Sequence, residues 1–333
     1  MWRNIFVIPV LLFLLSCNTT EPVRLTGQAQ GTYYSIIYYD GENRDLQYEI
    51  DSLLNAFDQS VSLWVPESII SKVNNNENGV KIDRYFTENF LISQQVSSET
   101  NGAFDMTIGP LVRSWGFGYD GTTTIDKDII DSLLAIVGYK KIDLFKNVII
   151  KKDPRIKIDF NAVAQGYSVD MIGKYLESKN ITNFLVDIGG EVIARGEKPN
   201  GDMWKVGIEK PAQNANDSRD LNSIIALQNK SVATSGNYRK FVEIDGKRYS
   251  HIINPKTGYP AQHNLLSVTI VFENTAFADA YATACMAMGL DKSIEFVESK
   301  PNLDAFFIYS TDNGDYEYFS TDGFNDIITD DFR

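Results

Sequence analysis

The chain has 333 residues, with 31 Lys and Arg against 44 Asp and Glu, for a formal net charge of -13. No basic run stands out, so the electrostatic footprint of a nucleic-acid-binding protein is missing, and acidity alone speaks only to solubility. There are two cysteines, one at position 17 and one at 285, so no disulfide between folded segments is expected.

The first residues, MWRNIFVIPVLLFLLSC, place Arg3 before an apolar run from Ile5 to Leu15. This is the pattern of a secretory signal, and the run is too short to span a bilayer. Leu14, Leu15, Ser16 and Cys17 resemble a bacterial lipobox, in which the cysteine is diacylated and becomes the new N-terminus. A plain signal peptide with an incidental cysteine is the other reading. The expected layout is a signal peptide over 1–16, a lipidated tether over 17–27 and one folded domain over 28–333. Such a protein is extracytoplasmic and anchored to a bacterial membrane, on the periplasmic side, by lipid on Cys17 rather than by a spanning helix.

TGQAQGTYYSIIYYD, 26–40, is rich in β-branched and aromatic residues and predicts a strand. Helical spacing of Ile50, Leu53, Leu54 and Phe57 predicts a helix over 46–61. Further helices are predicted over 85–100, ending at Asn101-Gly102, and over 127–137, ending at Gly138. NVIIKKD and RIKIDFN read as strands, followed by a helix over 163–178. NFLVDIGGEVIARG reads as two strands joined at Gly189-Gly190. Strands follow at 204–209, 224–227, 231–234, 239–244 and 265–272. An Ala-rich helix over 275–288 stops at Gly289, and strands at 305–309 and 316–320 close the chain. Frequent hairpins predict an α+β fold with mostly antiparallel sheets and packed helices rather than a doubly wound parallel one. No Gly-x-Gly-x-x-Gly follows a strand, which argues against a Rossmann cofactor site. Cys285, in an Ala/Met-rich run, reads as a small buried apolar residue.

Several segments hold candidate chemistry. Asp279 and Thr283 are i and i+4 on the Ala-rich helix, so their side chains share a face. A carboxylate and a hydroxyl one turn apart form a hard oxygen pair suited to Mg²⁺; the alternative is an acidic residue placed near a helix start by the dipole. In IKIDFNAVAQGYSVD, Asp159 ends a strand, Asn161 and Ala162 turn, and Gly166 opens a helix face. That is either a phosphate or metal site or an ordinary strand–helix junction. GAFDMTIGP, SLWVPES, DIGGE and SVATSGNYR each offer aromatics, carboxylates or hydroxyls on turns. In YSHIINPKTGYPA, His251 has a pKa range suited to proton transfer, and a solvated loop histidine is the competing reading. His263 lies outside the motif and carries no functional reading.

Taken together and in order, QGTYYSI, SLWVPESIISKVN, GAFDMTIGPLVRSWGFG, KIDFNAVAQGYSVD, FLVDIGGEV, WKVGIEKP, SVATSGNYR, YSHIINPKTG and ADAYATACMAMG resemble the FAD:protein FMN transferase family, also called the ApbE family. The resemblance implies a two-lobed α+β fold and Mg²⁺-dependent cleavage of FAD at its pyrophosphate. FMN then passes to a Thr hydroxyl of a partner flavoprotein, a membrane redox subunit or a secreted flavin carrier, and AMP leaves. The chain carries no acceptor motif of the type Asp-x-x-Ser/Thr-Gly/Ala-Ala/Ser-Thr, so self-flavinylation is not expected. Carried over residue by residue, Asp279, Thr283 and the carbonyl of Ala162 match the metal ligands. Asp159, Ala103, Phe104, Asp105 and the backbone near Ile253 match positions that hold FAD, and His251 matches the histidine that assists deprotonation of the acceptor hydroxyl. Three positions depart from the family pattern: Gln30 stands where many relatives have Met, Trp64 where Tyr is usual, and Gln165 where relatives have Lys or Glu. Two other functions remain open at this level: an FAD pyrophosphatase releasing FMN and AMP, and a lipid-anchored flavin-binding protein without chemistry.

Overall fold

In a computed structural model the described residues are 21–117, 126–211, 220–237, 241–244 and 247–332. The leader, Cys17 and Arg239 lie outside them. Strand β1 (Val23–Ala29) pairs antiparallel with β2 (Thr32–Tyr38) in an unbroken register from Val23↔Tyr38 to Ala29↔Thr32. The single strand predicted over 26–40 is therefore a hairpin. Its turn is Gln30-Gly31, with φ of 54° and 74°, the left-handed conformation that two-residue hairpin loops demand. Glutamine is no turn signal, which is why the break is invisible in the sequence. The ladder starts five residues before the expected domain boundary at 28, because alternation from Val23 through the buried Leu25 already gives β1 an inner face.

Helix α1 (Gln47–Val61) buries Ile50, Leu54, Phe57 and Val61. Ser68 caps the short α2 (Ile69–Asn74), and Asp83 caps α3 (Arg84–Glu99) by accepting from Phe86 N at 2.9 Å. After the short α4 (Gly109–Ser114) and α5 (Lys127–Leu134) comes a two-stranded hairpin, β3 (Ile142–Phe145) with β4 (Val148–Lys151). RIKIDFN is extended but is not a ladder strand. Asn74 takes the place of a neighbouring strand there: its Nδ2 donates to Ile158 O at 2.8 Å and its Oδ1 accepts from Ile158 N at 2.7 Å. Helix α6 (Ala164–Ser178) follows, then β5 (Phe184–Ile188), β6 (Glu191–Arg195), β7 (Trp204–Glu209), β8 (Leu221–Leu227), β9 (Ser231–Gly236), β10 (Phe241–Ile244), β11 (Lys247–Ser250) and β12 (Leu265–Phe272).

Helix α7 (Thr275–Met288) leads directly into α8 (Leu290–Glu298). Gly289, with φ 81°, ends one helix and opens the next. The chain closes with β13 (Asp304–Ser310), β14 (Tyr316–Ser320), α9 (Asp322–Asn325) and β15 (Ile328–Asp331), so two strands do not end the chain as expected. Only Ile328 of β15 is apolar, too little to signal a strand; its partner β8 specifies it.

The main sheet runs β1-β2-β5-β6-β9-β12-β13-β14, with every neighbour antiparallel. Its helix-facing side, with Tyr34, Ile36, Phe184, Val186, Val268 and Ile270, packs on α1, α6 and α7, and α3 packs in turn on α1 and α7. Its other side, with Val192, Ala194, Val232, Phe306 and Ile308, packs on Trp204, Ile225 and Leu227 of a three-stranded sheet, β15-β8-β7. A smaller lobe has its own core of Leu111, Trp115, Ile130, Val137 and Ile253. The expected α+β, mostly antiparallel architecture is what the chain adopts. Among the described residues, no helix is long and apolar enough to cross a membrane.

The tightest point in this framework is the α6–α7 crossing. A methyl group on Gly166 would sit 2.5 Å from Thr275 O and 2.9 Å from Ala276 Cα, both backbone atoms that cannot swing aside. Beside it, Asp170 caps α7, its two oxygens accepting from Thr275 N at 2.8 Å and Ala276 N at 2.9 Å. Gly166→Ala is expected to force the helices apart at a cost of ~1–3 kcal/mol, the usual range for overpacking. Thermal melting of the variant checks this; a variant that melts with wild type would show that the crossing tolerates a side chain.

Candidate active site

The crossing brings the candidate groups together. Asp279, on the buried face of α7, accepts from Gly166 N at 3.1 Å. Burial pushes its carboxyl up to about 7. One turn on, Thr283 Oγ1 lies 3.2 Å from Ser235 Oγ at the end of β9. Ala162 sits in the turn that leads into α6. Thus the i, i+4 pair shares a face as predicted, and the start of α6 closes over it.

Around this point the first turn of α6 meets the β1–β2 and β5–β6 turns. Gln165 Nε2 donates to Ile188 O at 2.8 Å and also to Glu191 Oε2. Ser168 Oγ lies 2.7 Å from Gln165 O and 3.3 Å from Gln30 Oε1. Gln30 Nε2 is buried without a hydrogen-bond partner, a donor held at the rim of the site. Gly189 fits here only as glycine: its φ is +65°, and a methyl group would meet Gln165 Nε2 at 2.1 Å and Thr32 Cγ2 at 2.8 Å.

Asp159 N donates to Met106 O at 2.8 Å, and its Oδ1 accepts from Asn161 N at 2.8 Å. Burial raises its carboxyl above the ordinary range. Asp105 plays a different part. Its Oδ1 accepts from Thr107 N and Thr107 Oγ1, and its Oδ2 accepts from Tyr139 N at 2.8 Å. That carboxylate staples the 103–107 loop to the turn at Gly138. Ala103 and Phe104 are buried, Phe104 within the main core, so this segment offers a ligand its backbone and not the Phe104 ring face.

Trp64, in contrast, is 64% exposed. Its loop is held by Ser68 Oγ, which donates to Ser62 O at 2.7 Å, and by Ser71 Oγ, which donates to Val65 O at 2.9 Å. A large aromatic on a fixed loop is a ready stacking surface.

The His251 loop closes against the smaller lobe. The imidazole and the Phe117 ring are 6.2 Å apart and edge-on. Ile253 bridges Pro260, and Trp115 Nε1 donates to Gly258 O at 2.9 Å. Gly258, at φ +77°, would place a methyl group 2.8 Å from Ile130. These contacts fix the loop that carries His251. His263 bonds Met286 O at 2.7 Å at the end of α7, a structural role in line with its plain reading. Cys285 is fully buried, and burial pushes its thiol up to about 12.

Glu191, Ser235, Ser168 and Asp170 escaped the sequence reading as site residues. DIGGE and SVATSGN marked two of them as polar turns, but only the fold shows which turn faces Asp279. A buried aspartate in the apolar run YSVDMI was the available signal for Asp170.

Among the described residues, no group of three His, Cys, Asp or Glu converges as a metal cluster. The oxygen set of Asp279, Thr283 and the Ala162 carbonyl is of another kind, one carboxylate with neutral oxygens, and it fits a hard cation that keeps waters and phosphates as further ligands. Asp279 fits that part: a desolvated carboxylate with no cationic side chain among the causes that set its pKa.

The fold and site define an α+β protein in which a helix crossing sets a buried carboxylate and a hydroxyl, one turn apart, against a mostly antiparallel sheet. The chain belongs to the ApbE family, whose family model matches residues 30–307. It is 34% identical to the FAD:protein FMN transferase of Vibrio cholerae, covering 93% of this chain and 95% of that protein. It is 33% identical to the protein of the same name from Haemophilus influenzae, with 93% of each covered. Among solved structures, the flavin transferase ApbE from Vibrio cholerae superposes with a TM-score of 0.81 at 31% identity, over 92% of this chain and 99% of that one. The apo flavinyl transferase ApbE of Pseudomonas stutzeri gives 0.82 at 30% identity, over 92% and 96%.

Proposed function

We propose that this chain transfers FMN from FAD to a protein. The observation that carries this reading is the Asp279–Gly166 contact, which joins the helix bearing the oxygen pair to the α6 start at the heart of the site. Relatives named for the same activity at 34% and 33% identity over nearly the whole chain support it.

In the finer reading, the acceptor is a Thr hydroxyl of a membrane redox subunit or secreted flavin carrier, and the reaction uses Mg²⁺. Asp279, Thr283 and the Ala162 carbonyl would hold the cation. Bound there, it would offset the negative charge of the pyrophosphate, in a reaction class governed by positioning and electrostatics. The Trp64 ring offers a stacking face, while the amides of Gln30 and Gln165, Asp159, the 103–105 backbone and the backbone at Ile253 line the path of the dinucleotide. His251 takes the proton of the acceptor hydroxyl as its oxygen bonds to the FMN phosphorus. The P–O bond to AMP breaks, and AMP carries the electron pair away.

Incubation with FAD, Mg²⁺ and a candidate acceptor, followed by in-gel flavin fluorescence after denaturation, tests this. A fluorescent acceptor band supports transfer. Free FMN and AMP with a dark band would point to a pyrophosphatase, and intact bound FAD to a carrier without chemistry.

The placement of the enzyme is part of the same proposal: an extracytoplasmic protein tethered by lipid on Cys17. Cys17→Ser is expected to move the protein from the membrane fraction to the soluble one, with its transfer activity unchanged. Fractionation with palmitate labelling checks this, and a Cys17→Ser protein that stays in the membrane fraction would contradict lipidation at Cys17.

A further inference from the structure

Resting on the reading above, the geometry points to Glu191 as the second carboxylate of the cation site. It stands behind Asp279 and acts through Gln165 as a positioning residue. Glu191 begins β6, just past the Gly189-Gly190 turn. Its side chain accepts from Gln165 Nε2, and that same amide is pinned to Ile188 O at 2.8 Å. The next residue, Gly166, donates its backbone N–H to Asp279. One dipeptide therefore holds both carboxylates, Glu191 by its side chain and Asp279 by its backbone.

Glu191 is desolvated, and Asp279 is the largest charge acting on it. Neither carboxylate has a Lys, Arg or His acting on it; the further charges there, Asp187 on Glu191 and Asp170 on Asp279, are carboxylates as well. Two carboxylates enclosed side by side without a counter-charge are costly. The neutral Thr283 hydroxyl and Ala162 carbonyl do nothing to offset them. A divalent cation offsets the negative charge gathered here, so the site tightens on a cation by charge as well as by ligand count. Groups just outside the ligand set commonly change metal affinity by ~10–100-fold.

Glu191→Gln keeps the shape and the acceptor oxygen for Gln165 while removing the charge. The wild-type protein is titrated with Mg²⁺ and followed by thermal melting without FAD, and then by transfer rate. In Glu191→Gln, half-saturation is expected at about tenfold higher Mg²⁺ or more in both assays, with kcat at saturating Mg²⁺ close to wild type. The Mg²⁺-free variant is expected to melt no lower than wild type, because one of two facing charges is gone. Glu191→Asp retains the charge and is expected to bring half-saturation back towards wild type. Equal half-saturating Mg²⁺ in wild type and Glu191→Gln would overturn the inference. So would a Mg²⁺-free melting point that falls with no change in Mg²⁺ response, the mark of a purely structural residue. A wild-type protein indifferent to Mg²⁺ in both assays would remove the cation reading itself and this inference with it.

Discussion

Asp279→Ala is expected to abolish flavin transfer while leaving a folded protein. The residue is buried on the inner face of α7, and its one hydrogen bond among the described residues comes from Gly166 N. The helix does not depend on it: α7 is capped by Asp170, which satisfies Thr275 N and Ala276 N. Truncation removes the carboxylate that stands with the Thr283 hydroxyl and the Ala162 carbonyl, and with it the direct charge that a hard cation requires. Neutral Thr283 and Ala162 oxygens cannot compensate. The same group gives a sign that needs no substrate. Its folded carboxyl titrates about 7 against an ordinary 3.8, so the folded protein binds this proton more tightly than the unfolded chain. The stability it contributes is full at acid pH and is lost as pH rises towards 7. Metal-free wild type is therefore expected to lose melting temperature across that window more steeply than Asp279→Ala. Added Mg²⁺ should restore it in wild type alone. Parallel melting curves for the two proteins would contradict this placement of Asp279.

His251→Ala is expected to slow transfer by ~10²–10⁴-fold, the range of a positioned general base, with FAD affinity unchanged. The loop around His251 is fixed without it, by the Ile253–Pro260 bridge, the Trp115 Nε1 bond to Gly258 O and the close seat of Gly258 on Ile130. Loss of the imidazole, which sits edge-on to Phe117, therefore removes a proton acceptor while these loop contacts stay. A base also shapes the pH profile: the acid limb of kcat should flatten in the variant. If His251 served packing alone, the variant would melt lower and bind FAD more weakly at a near-normal kcat. Single-turnover rates and FAD titration across pH separate the two outcomes.

The sequence made the α+β layout legible because its helices carry clear 3.6 periods and its strands clear alternation. Asp279 and Thr283 were legible for the same reason: i, i+4 spacing on a helix fixes a shared face. What failed were features decided by partners far along the chain. Gln30-Gly31 turns a hairpin through left-handed backbone that glutamine does not advertise. RIKIDFN has a strand's alternation, yet it bonds to the Asn74 side chain and Met106 O rather than to a ladder. No sequence signal shows that the Phe104 ring joins the core or that the Asp105 carboxylate staples its loop to Tyr139, since both contacts are made with residues distant along the chain. Glu191 was visible only as part of a Gly-Gly turn, since nothing local says that this turn faces α7.

The most direct measurement is the intact mass of a candidate acceptor protein after incubation with this chain, FAD and Mg²⁺, with AMP assayed in the same mixture. The result expected is an acceptor heavier by one FMN less water, released AMP in equal amount, and neither when Asp279→Ala replaces wild type. FAD consumed to free FMN and AMP with every tested acceptor unchanged in mass would contradict protein flavinylation as the function of this site.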